Sequence, residues 1–575
     1  RRRRRRLGKP TLYERAECVQ LTSQAFNGQG HLVLFLHAHL PYVRHPEHDA
    51  FLEEDWLYEG ITETYIPLLA IVERWHQDGI RARLTLSMTP SLVEMLRDEL
   101  LIERYVRRLH LLIDLAESEV RRNAQDDRFR FSAEMYRDRF VQALERFEKR
   151  YSRDLVAGFK AMQDAGMIEI VTSTATHAFL PCLTAAHAGP QITLGAKAYR
   201  EHFGRNSPGI WLPECGFLPG LDRLLADEGL SYFMVDSHGV EFADPAPVFG
   251  TYSPILCPSG VFAFPRDRES SAQVWSADWG YPGDGRYREF YRDIGYDLDD
   301  LSVGSLRLPD GGRKNVGIKY YRITGRQIPL HEKEPYHRGM ALQAADEHAS
   351  KFVADRVEQV KYWHSVNGRP PIIVAPYDAE LFGHWWFEGP EFLDLVVRKA
   401  ACDQDAYRLS SPTDVIDSGL NFQVAMPAAS SWGAYGYSDT WLNDRNDWVW
   451  PHVHHAAEEM AKLAQDRSEA SGLERRALNQ LARELVLASS SDWPFIMTMG
   501  TMVSYAERRV RQHTNRFNRL LHQIRTSAID EEWLANIEYC DNIFQKIDYR
   551  DFAPNRRASQ HHKLKAEQGG LKAGH

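Results

Sequence analysis

Short, continuous runs of apolar residues recur along the chain, with polar or charged residues directly after most of them. The runs cover residues 32–36, 84–88, 168–171, 210–212, 233–235 and 372–375. Runs that do not alternate with polar residues are typical of strands buried on both faces, as in parallel sheets. Segments with helical spacing separate the runs. The pattern therefore predicts an α/β fold, either a barrel or a doubly wound sheet.

Chemically capable side chains follow these predicted strands. In a β/α barrel, such positions face the mouth of the active site. A single polar residue after a strand is usually a turn residue or a helix cap, but repeated cases in one chain predict a shared site. The residues concerned are His37, His39, His177, Glu214, Asp236 and Asp378.

The remaining segments differ in composition and suggest a domain organisation. Residues 92–162 are rich in Arg, Glu and Leu at helical spacing, which predicts a helical insertion. Residues 258–330 are rich in Gly and aromatic residues, and this composition predicts a long, aromatic-rich loop excursion that serves function. We expect a barrel over 31–430, a helical domain over 431–555, and disordered tails at 1–30 and 556–575.

Composition excludes several classes of protein. A net charge of -9 over 575 residues argues against a general nucleic-acid binder. No apolar run approaches the roughly 18 residues of a membrane span. The six cysteines form no C-x-x-C pair, which argues against a zinc ribbon and fits a reducing, cytoplasmic setting. Many of the 14 Trp and 25 Tyr lie beside Gly, Pro or Asp, where flat rings can bind sugars as well as fill a core.

Two carboxylates are candidates for acid–base or nucleophilic chemistry. Glu214 lies between Pro213, which restricts the backbone, and Gly216, which we expect to permit a sharp turn. Asp378 follows a predicted strand beside aromatic residues, where a carboxyl pKa rises. Glycoside chemistry uses such a pair, about 5–5.5 Å apart for retention and about 6.5–9.5 Å for inversion. A capping or salt-bridging role for Glu214 is the simpler alternative.

The pair His37 and His39 allows two interpretations. Alternate residues of a strand project to one face, so both imidazoles can act together. They could bind zinc with a third ligand such as His177 or Asp236, or they could hydrogen-bond sugar hydroxyls.

Five short regions, found in order, resemble the conserved regions of glycoside hydrolase family 57. They lie within about residues 31–550, and the fourth and fifth are most similar to those of its α-1,4-glucan branching enzymes. The regions are His37-Ala38-His39-Leu40-Pro41, Thr176 to Pro181, Trp211 to Phe217, Ala375 to Gly389, and Ser430 to Asn443.

The resemblance implies a (β/α)7 barrel with a helical insertion and a C-terminal helical domain that closes over the cleft. It implies a retaining mechanism with Glu214 as nucleophile and Asp378 as acid/base, an α-1,4-glucan substrate, and no metal or other cofactor. It places His37, His39 and His177 in the donor subsite. It also suggests glucan contacts at Arg288, Trp432, Trp441 and Asp492. The Arg-rich start matches nothing in the family.

Four hypotheses about function remain open from the sequence. The first is a branching enzyme, which transfers a cleaved glucan to a 6-hydroxyl. The second is an α-amylase or 4-α-glucanotransferase, which differs only in the acceptor. The third is a zinc-dependent carbohydrate deacetylase or mannosidase-like enzyme, and the fourth is a glucan-binding protein without turnover, which the intact Glu214 and Asp378 argue against.

Overall fold

The computed structural model of the chain describes residues 30–276, 279–308 and 310–554. The predicted tails at 1–30 and 556–575 lie outside the described residues, apart from Gly30, which begins the first strand. None of the helices within these described ranges is both long and apolar enough to cross a membrane.

The centre of the molecule is a nine-stranded, mostly parallel sheet. Strands β8, β1, β2, β3, β4, β5 and β7 lie side by side in that order, each parallel to the next. The strands are β1 Gly30–Ala38, β2 Leu84–Met88, β3 Ile168–Ser173, β4 Gly209–Trp211, β5 Tyr232–Val235, β6 Ile255–Leu256, β7 Phe262–Pro265, β8 Ile372–Asp378 and β9 Tyr407–Leu409.

The sheet curls until its two ends approach each other. The amide of Asp267, just after β7, donates to the carbonyl of Val374 in β8 at 2.8 Å. Strand β6 pairs antiparallel with β7, and β9 pairs with the start of β1. The sequence prediction of an α/β fold with a (β/α)7 barrel is confirmed, because the seven strands from β8 to β7 lie side by side in parallel and curl.

Helices cover the outer face of the sheet and form its insertions. Helix α1 continues through a π-helical turn, Ile61–Tyr65, into α2. The helices are α1 Glu54–Gly60, α2 Ile66–Gln77, α3 Pro90–Met95, α4 Glu99–Arg122, α5 Arg130–Glu145, α6 Leu155–Asp164, α7 Ala185–Phe203, α8 Leu221–Asp227, α9 Ser237–Glu241, α10 Arg268–Trp275, α11 Ile294–Asp297, α12 Asp300–Val303, α13 Arg338–Asn367, α14 Gly389–Cys402 and α15 Pro412–Ile416.

The helical segment at 92–162 forms because its ends and faces suit helices. Asp98 caps α4, its side chain accepting the amide of Leu101 at 3.0 Å, and basic residues occupy the last turn. Apolar side chains such as Tyr105 and Leu109 recur on one face and are fully buried. Helices α4 and α5 pack against each other beside the barrel.

The segment at 258–330 is more structured than its composition suggests. Its first part is strand β7 and helix α10, which belong to the barrel itself. The apolar run of β7 is short and enclosed by Gly260 and Pro265, so the periodicity did not reveal it as a strand. The irregular aromatic part begins after α10.

The C-terminal helices form a bundle that touches the barrel mouth. They are α16 Val449–Asp466, α17 Gly472–Ala488, α18 Asp492–Met499, α19 Val503–Arg525 and α20 Glu531–Cys540. Helix α17 is buried along most of its length and packs against α16, α19 and α20. Between α17 and α18, Ser490 forms an isolated antiparallel β-bridge with Ala178. The amide of Ser491 donates to the carbonyl of His177 at 3.0 Å. The junction between α17 and α18 therefore lies against the loop after β3.

Candidate active site

The register of the parallel strands places His37 beside Asp378 at the carboxyl ends of the strands. His37 of β1 lies in register with Asp378 of β8 on one side and Ser87 of β2 on the other. His39 follows the end of β1, and its amide donates to Glu380 at 3.1 Å. The parallel ladder therefore places these polar groups in one layer at the mouth of the barrel.

Glu214 is held in an unusual backbone conformation. After β4, the short 3₁₀ turn Pro213–Cys215 gives Glu214 a φ of 61° and Cys215 a φ of 51°, both in the left-handed region. Non-glycine residues adopt this region at a cost, and such strain clusters at functional sites. The amide of Trp432 donates to the Glu214 carbonyl at 2.9 Å and helps to hold the turn.

The expected role of Gly216 in this turn needs correction. Its φ is -72°, so the sharp turn does not require a glycine there. Instead, a Cβ atom at Gly216 would lie 2.5 Å from the ring of Phe179. The residue must be small because the loop after β3 packs directly against it.

The side chain of Glu214 is 14% exposed, and its carboxylate accepts a hydrogen bond on each oxygen. Trp432 Nε1 donates to Oε2 at 2.8 Å, and Ser491 Oγ donates to Oε1 at 3.3 Å. His177 Nδ1 lies 3.8 Å from Oε1. Burial raises the pKa of Glu214 to about 7, while the Trp432 hydrogen bond opposes that rise and the charge of Asp492 adds to it.

Asp378 has a different environment at the end of β8. Burial, followed by the negative charges of Glu380 and Glu214, raises the pKa of Asp378 well above its usual value, and Arg266 opposes the shift. Among the residues that the structure describes, no side chain donates a hydrogen bond to its carboxyl group. The surroundings therefore favour the protonated form of Asp378 more strongly than that of Glu214.

The three histidines form a compact stack beside Glu214. His37 Nε2 and His177 Nε2 are 2.9 Å apart, and His39 Nε2 lies 3.0 Å from Asp492 Oδ1. The rings of His39 and His177 stack with centroids 3.7 Å apart. Burial, with the neighbouring histidines as a further cause, lowers the pKa of His37 and of His177 well below the usual value, so both are neutral at neutral pH.

Within the described part of the chain, two groups of side chains have the ligand types and proximity that a metal site requires. They are His39, His177 and Asp492 at the barrel mouth, and Glu484, His513 and Asp541 inside the helical bundle. Tetrahedral zinc splays its imidazole ligands apart at Zn–N distances of about 2.0–2.1 Å. The face-to-face stacking of His39 on His177, with an interplanar angle of 16°, does not suit that geometry.

The other predicted site residues lie at different depths in the walls. Trp432 is half-buried and contacts Glu214 directly. Trp441 is 1% exposed and stacks on Phe179 with centroids 4.4 Å apart. The side chain of Arg288 is fully buried over the ring of Phe387, 4.4 Å from its centroid. Arg288 and Trp441 therefore lie inside the protein, with almost none of either side chain exposed.

Asp236 caps helix α9 and lies beside the site without a contact to Glu214 or Asp378 among the described side chains. Its Oδ1 accepts the amide of Ser237 at 2.6 Å, and its Oδ2 lies 3.3 Å from Arg266 Nη1. The guanidinium of Arg266 also lies over the indole of Trp432 at 5.8 Å. Asp236 therefore helps to position a cation whose charge acts on Asp378.

Sequence reasoning missed the contacts made by Arg266 and Ser491. Arg266 follows β7, the strand that the hydrophobic pattern did not reveal. Ser491 stands next to Asp492 in the chain, but no local pattern indicates that its hydroxyl reaches Glu214. Only the docking of the helical bundle on the barrel reveals that contact.

The chain is similar to known proteins over most of its length. The family model for glycosyl hydrolase family 57 matches residues 33–428, and the model for the 1,4-alpha-glucan branching enzyme C-terminal domain matches residues 452–552. A curated 1,4-alpha-glucan branching enzyme from Thermococcus kodakarensis is 33% identical over 90% of this chain and 78% of its own.

Solved structures include two similar proteins with different names. The alpha-amylase AmyC from Thermotoga maritima is 46% identical, with a TM-score of 0.86, over 91% of this chain and 99% of its own. A branching enzyme from Pyrococcus horikoshii is 32% identical, with a TM-score of 0.81, over 91% of this chain and 97% of its own. On the extent of these matches and the order of its motifs, the chain belongs to glycosyl hydrolase family 57.

Proposed function

We propose that the protein is a 1,4-alpha-glucan branching enzyme, which cleaves an α-1,4 link and transfers the released chain to a 6-hydroxyl. One observation carries the proposal. The segment that matches the branching-enzyme C-terminal domain contains Ser491 and Asp492, which contact Glu214 and His39 in the candidate site. The segment is thus part of the active site itself.

In the proposed reaction, Glu214 attacks the anomeric carbon and forms a covalent glycosyl-enzyme. Two hydrogen bonds stabilise its charged form and aim its oxygens. Asp378, held protonated by its surroundings, donates its proton to the leaving oxygen. It then accepts the proton of the acceptor hydroxyl as that oxygen attacks the anomeric carbon and releases Glu214.

The histidines, Asp492 and the tryptophans complete the proposed substrate site. His37, His39 and His177, with Asp492, bind sugar hydroxyls of the donor part of the glucan. Trp432 covers Glu214 and limits the access of water to the glycosyl-enzyme, a condition for transfer to exceed hydrolysis. Arg288 and Trp441 support the walls from behind. We place the domain boundaries at 31–430 for the barrel and 431–555 for the helical domain.

An α-amylase is the second candidate, because AmyC is 46% identical to this chain. The chemistry up to the glycosyl-enzyme is the same, and only the acceptor differs. We favour transfer because the C-terminal match and the curated branching enzyme point to it. We also propose that the enzyme acts in glycogen biosynthesis in the cytoplasm, where the five described cysteines, none in a disulfide, suit a reducing setting.

The product linkages test the function directly. Purified protein incubated with amylose is expected to form α-1,6 branches faster than new reducing ends. The measurement is chain-length analysis before and after debranching, with reducing ends measured in the same sample. Reducing ends without new branches would instead support the amylase.

The nucleophile assignment is tested by Glu214→Gln. The amide keeps the size of the side chain but cannot attack, so turnover is expected to fall by roughly 10³-fold or more while glucan binding persists. Asp236→Asn serves as a matched control because it also neutralises a carboxylate beside the site but leaves both reacting groups in place. Comparable losses in both variants would contradict a nucleophilic role for Glu214.

The pH dependence follows from the two carboxyl environments. Glu214 must be ionised, so kcat/KM is expected to fall as pH drops through about 7, the raised pKa of its carboxyl. Asp378 must be protonated, and burial with the charges of Glu380 and Glu214 raises its pKa well above its usual value, so its deprotonation is expected to set the alkaline limb. A pH profile of kcat/KM on amylose measures both limbs. An acid limb near the ordinary carboxyl range, around pH 4, would contradict the arrangement.

The role of Trp432 is tested by comparing two substitutions. Trp432→Ala removes both the ring and the N–H donor, so turnover is expected to fall at least about tenfold and the hydrolysed share of the product to rise. Trp432→Phe keeps a flat ring without the donor, so it should lose turnover but retain more of the transfer. Equal product ratios in both variants, with a lowered melting temperature, would mean that the ring serves packing alone.

A further inference from the structure

Four hydrogen bonds join a buried serine of β2 to the carboxylate of Glu214. Ser87 Oγ lies 3.2 Å from His37 Nδ1, and His37 Nε2 lies 2.9 Å from His177 Nε2. His177 Nδ1 then lies 2.8 Å from Ser491 Oγ, which lies 3.3 Å from Glu214 Oε1. This series of hydrogen bonds runs through three barrel segments, passes through Ser491 of the helical domain and returns to the barrel at Glu214.

Only one arrangement of protons fits this chain when Glu214 is ionised. A carboxylate can only accept, so Ser491 donates to it and accepts from His177 Nδ1–H. A neutral imidazole carries one proton, so His177 Nε2 is bare and accepts from His37 Nε2–H. His37 Nδ1 is then bare and accepts the hydroxyl proton of Ser87.

Burial keeps both imidazoles neutral, as this arrangement requires. His37 and His177 are 3% and 2% exposed, and burial lowers the pKa of each well below its usual value. A protonated imidazole would donate from both nitrogens, and the chain would lose its single direction. With two neutral histidines, every hydrogen bond from Ser87 to Ser491 has its donor on the side of Ser87.

We propose that Ser491 is a positioning residue whose hydroxyl proton, fixed in direction by the neutral His37–His177 pair, holds Glu214 ionised and aims it for attack. This inference rests on the proposed role of Glu214 as nucleophile and applies to transfer and hydrolysis alike. Nothing in the sequence pattern or the family matches assigns this function to Ser491.

The series of hydrogen bonds fixes the positions of its protons but is not a path for proton transfer. Ser87 is 0% exposed, so no solvent proton can enter at that end. The backbone of Ser491 is fixed as well, because its amide donates to the carbonyl of His177 at 3.0 Å. The hydroxyl therefore has one acceptor, Glu214, and one donor, His177, in a position set by both.

Other charged groups also face Glu214 and set the baseline against which Ser491 acts. Asp492 raises its pKa and His39 lowers it. Asp378 at the end of β8 carries the second carboxyl, and Arg266 after β7 opposes the rise in the pKa of Asp378. Ser491 differs from all of these because it acts by a directed hydrogen bond rather than by net charge.

The first test is the pH profile of Ser491→Ala. Loss of a hydrogen bond to the charged form raises the pKa of Glu214, so the acid limb of kcat/KM is expected to move up by about 1 pH unit. Ser491→Thr retains a hydroxyl and should restore the limb. The control is Ser489→Ala, which removes a hydroxyl group from a residue that is 1% exposed. That hydroxyl donates to the Val486 carbonyl at 2.9 Å and takes no part in the hydrogen bonds from Ser87 to Glu214.

A structural role alone would lower the melting temperature of Ser491→Ala and Ser489→Ala without moving the acid limb of either. An unmoved acid limb in a folded Ser491→Ala protein would overturn the proposal. If that variant does not fold, the tautomers of His37 and His177 in the wild-type protein still test the proposal.

Neutron diffraction of deuterium-exchanged wild-type crystals above pH 8 reads those tautomers directly. The expected result is deuterium on Nε2 of His37 and on Nδ1 of His177. Deuterium on Nδ1 of His37 and Nε2 of His177 would turn the Ser491 hydroxyl away from Glu214 and overturn the inference. Neither readout depends on product linkage, so an enzyme that only hydrolyses glucan would refute the branching proposal and leave this one intact.

Discussion

The structure depends on keeping a carboxylate charged where water is largely excluded. An unpaired charge in such a place costs several kcal/mol, and a carboxyl group normally takes up a proton instead. Here each oxygen of Glu214 accepts one hydrogen bond, from Trp432 and from Ser491. Both donors lie more than 200 positions away in the sequence, with separations of 218 and 277 residues. The hydrogen bonds to the proposed nucleophile are therefore complete only with the helical bundle docked on the barrel.

The same constraint divides the two carboxyl groups between two roles. Enclosure by the protein raises the pKa of both, and the charge of Glu214 also acts on Asp378, yet only Glu214 has side-chain donors that favour ionisation among the described residues. Asp378 has the charges of Glu380 and Glu214 nearby and lacks such donors among the described side chains. The placement of neutral indole and hydroxyl groups thus favours an ionised Glu214 beside a protonated Asp378, as the proposed roles require.

Much of the fold was predictable because buried parallel strands need unbroken apolar runs, as in β1 and β8. Strand β7 was not predicted, because the four residues between Gly260 and Pro265 are too few to show a hydrophobic pattern. The positions of Glu214 and His37 followed from strand ends, whereas their roles remain proposals. The burial of Arg288 and the reach of Ser491 were not predictable, since both depend on contacts between segments far apart in the sequence.

The docking of the bundle also bears on how the protein is made. Synthesis proceeds from the amino terminus, so the whole barrel leaves the ribosome before Ser491 and the helices after it are formed. Until then Glu214 lacks one of its two donors, and the loop after β3 lacks its partner at Ser490. A nascent or truncated chain would thus carry the barrel motifs around a candidate site that still lacks one wall and one hydrogen-bond donor. The site is complete only when the last helices have folded against the barrel.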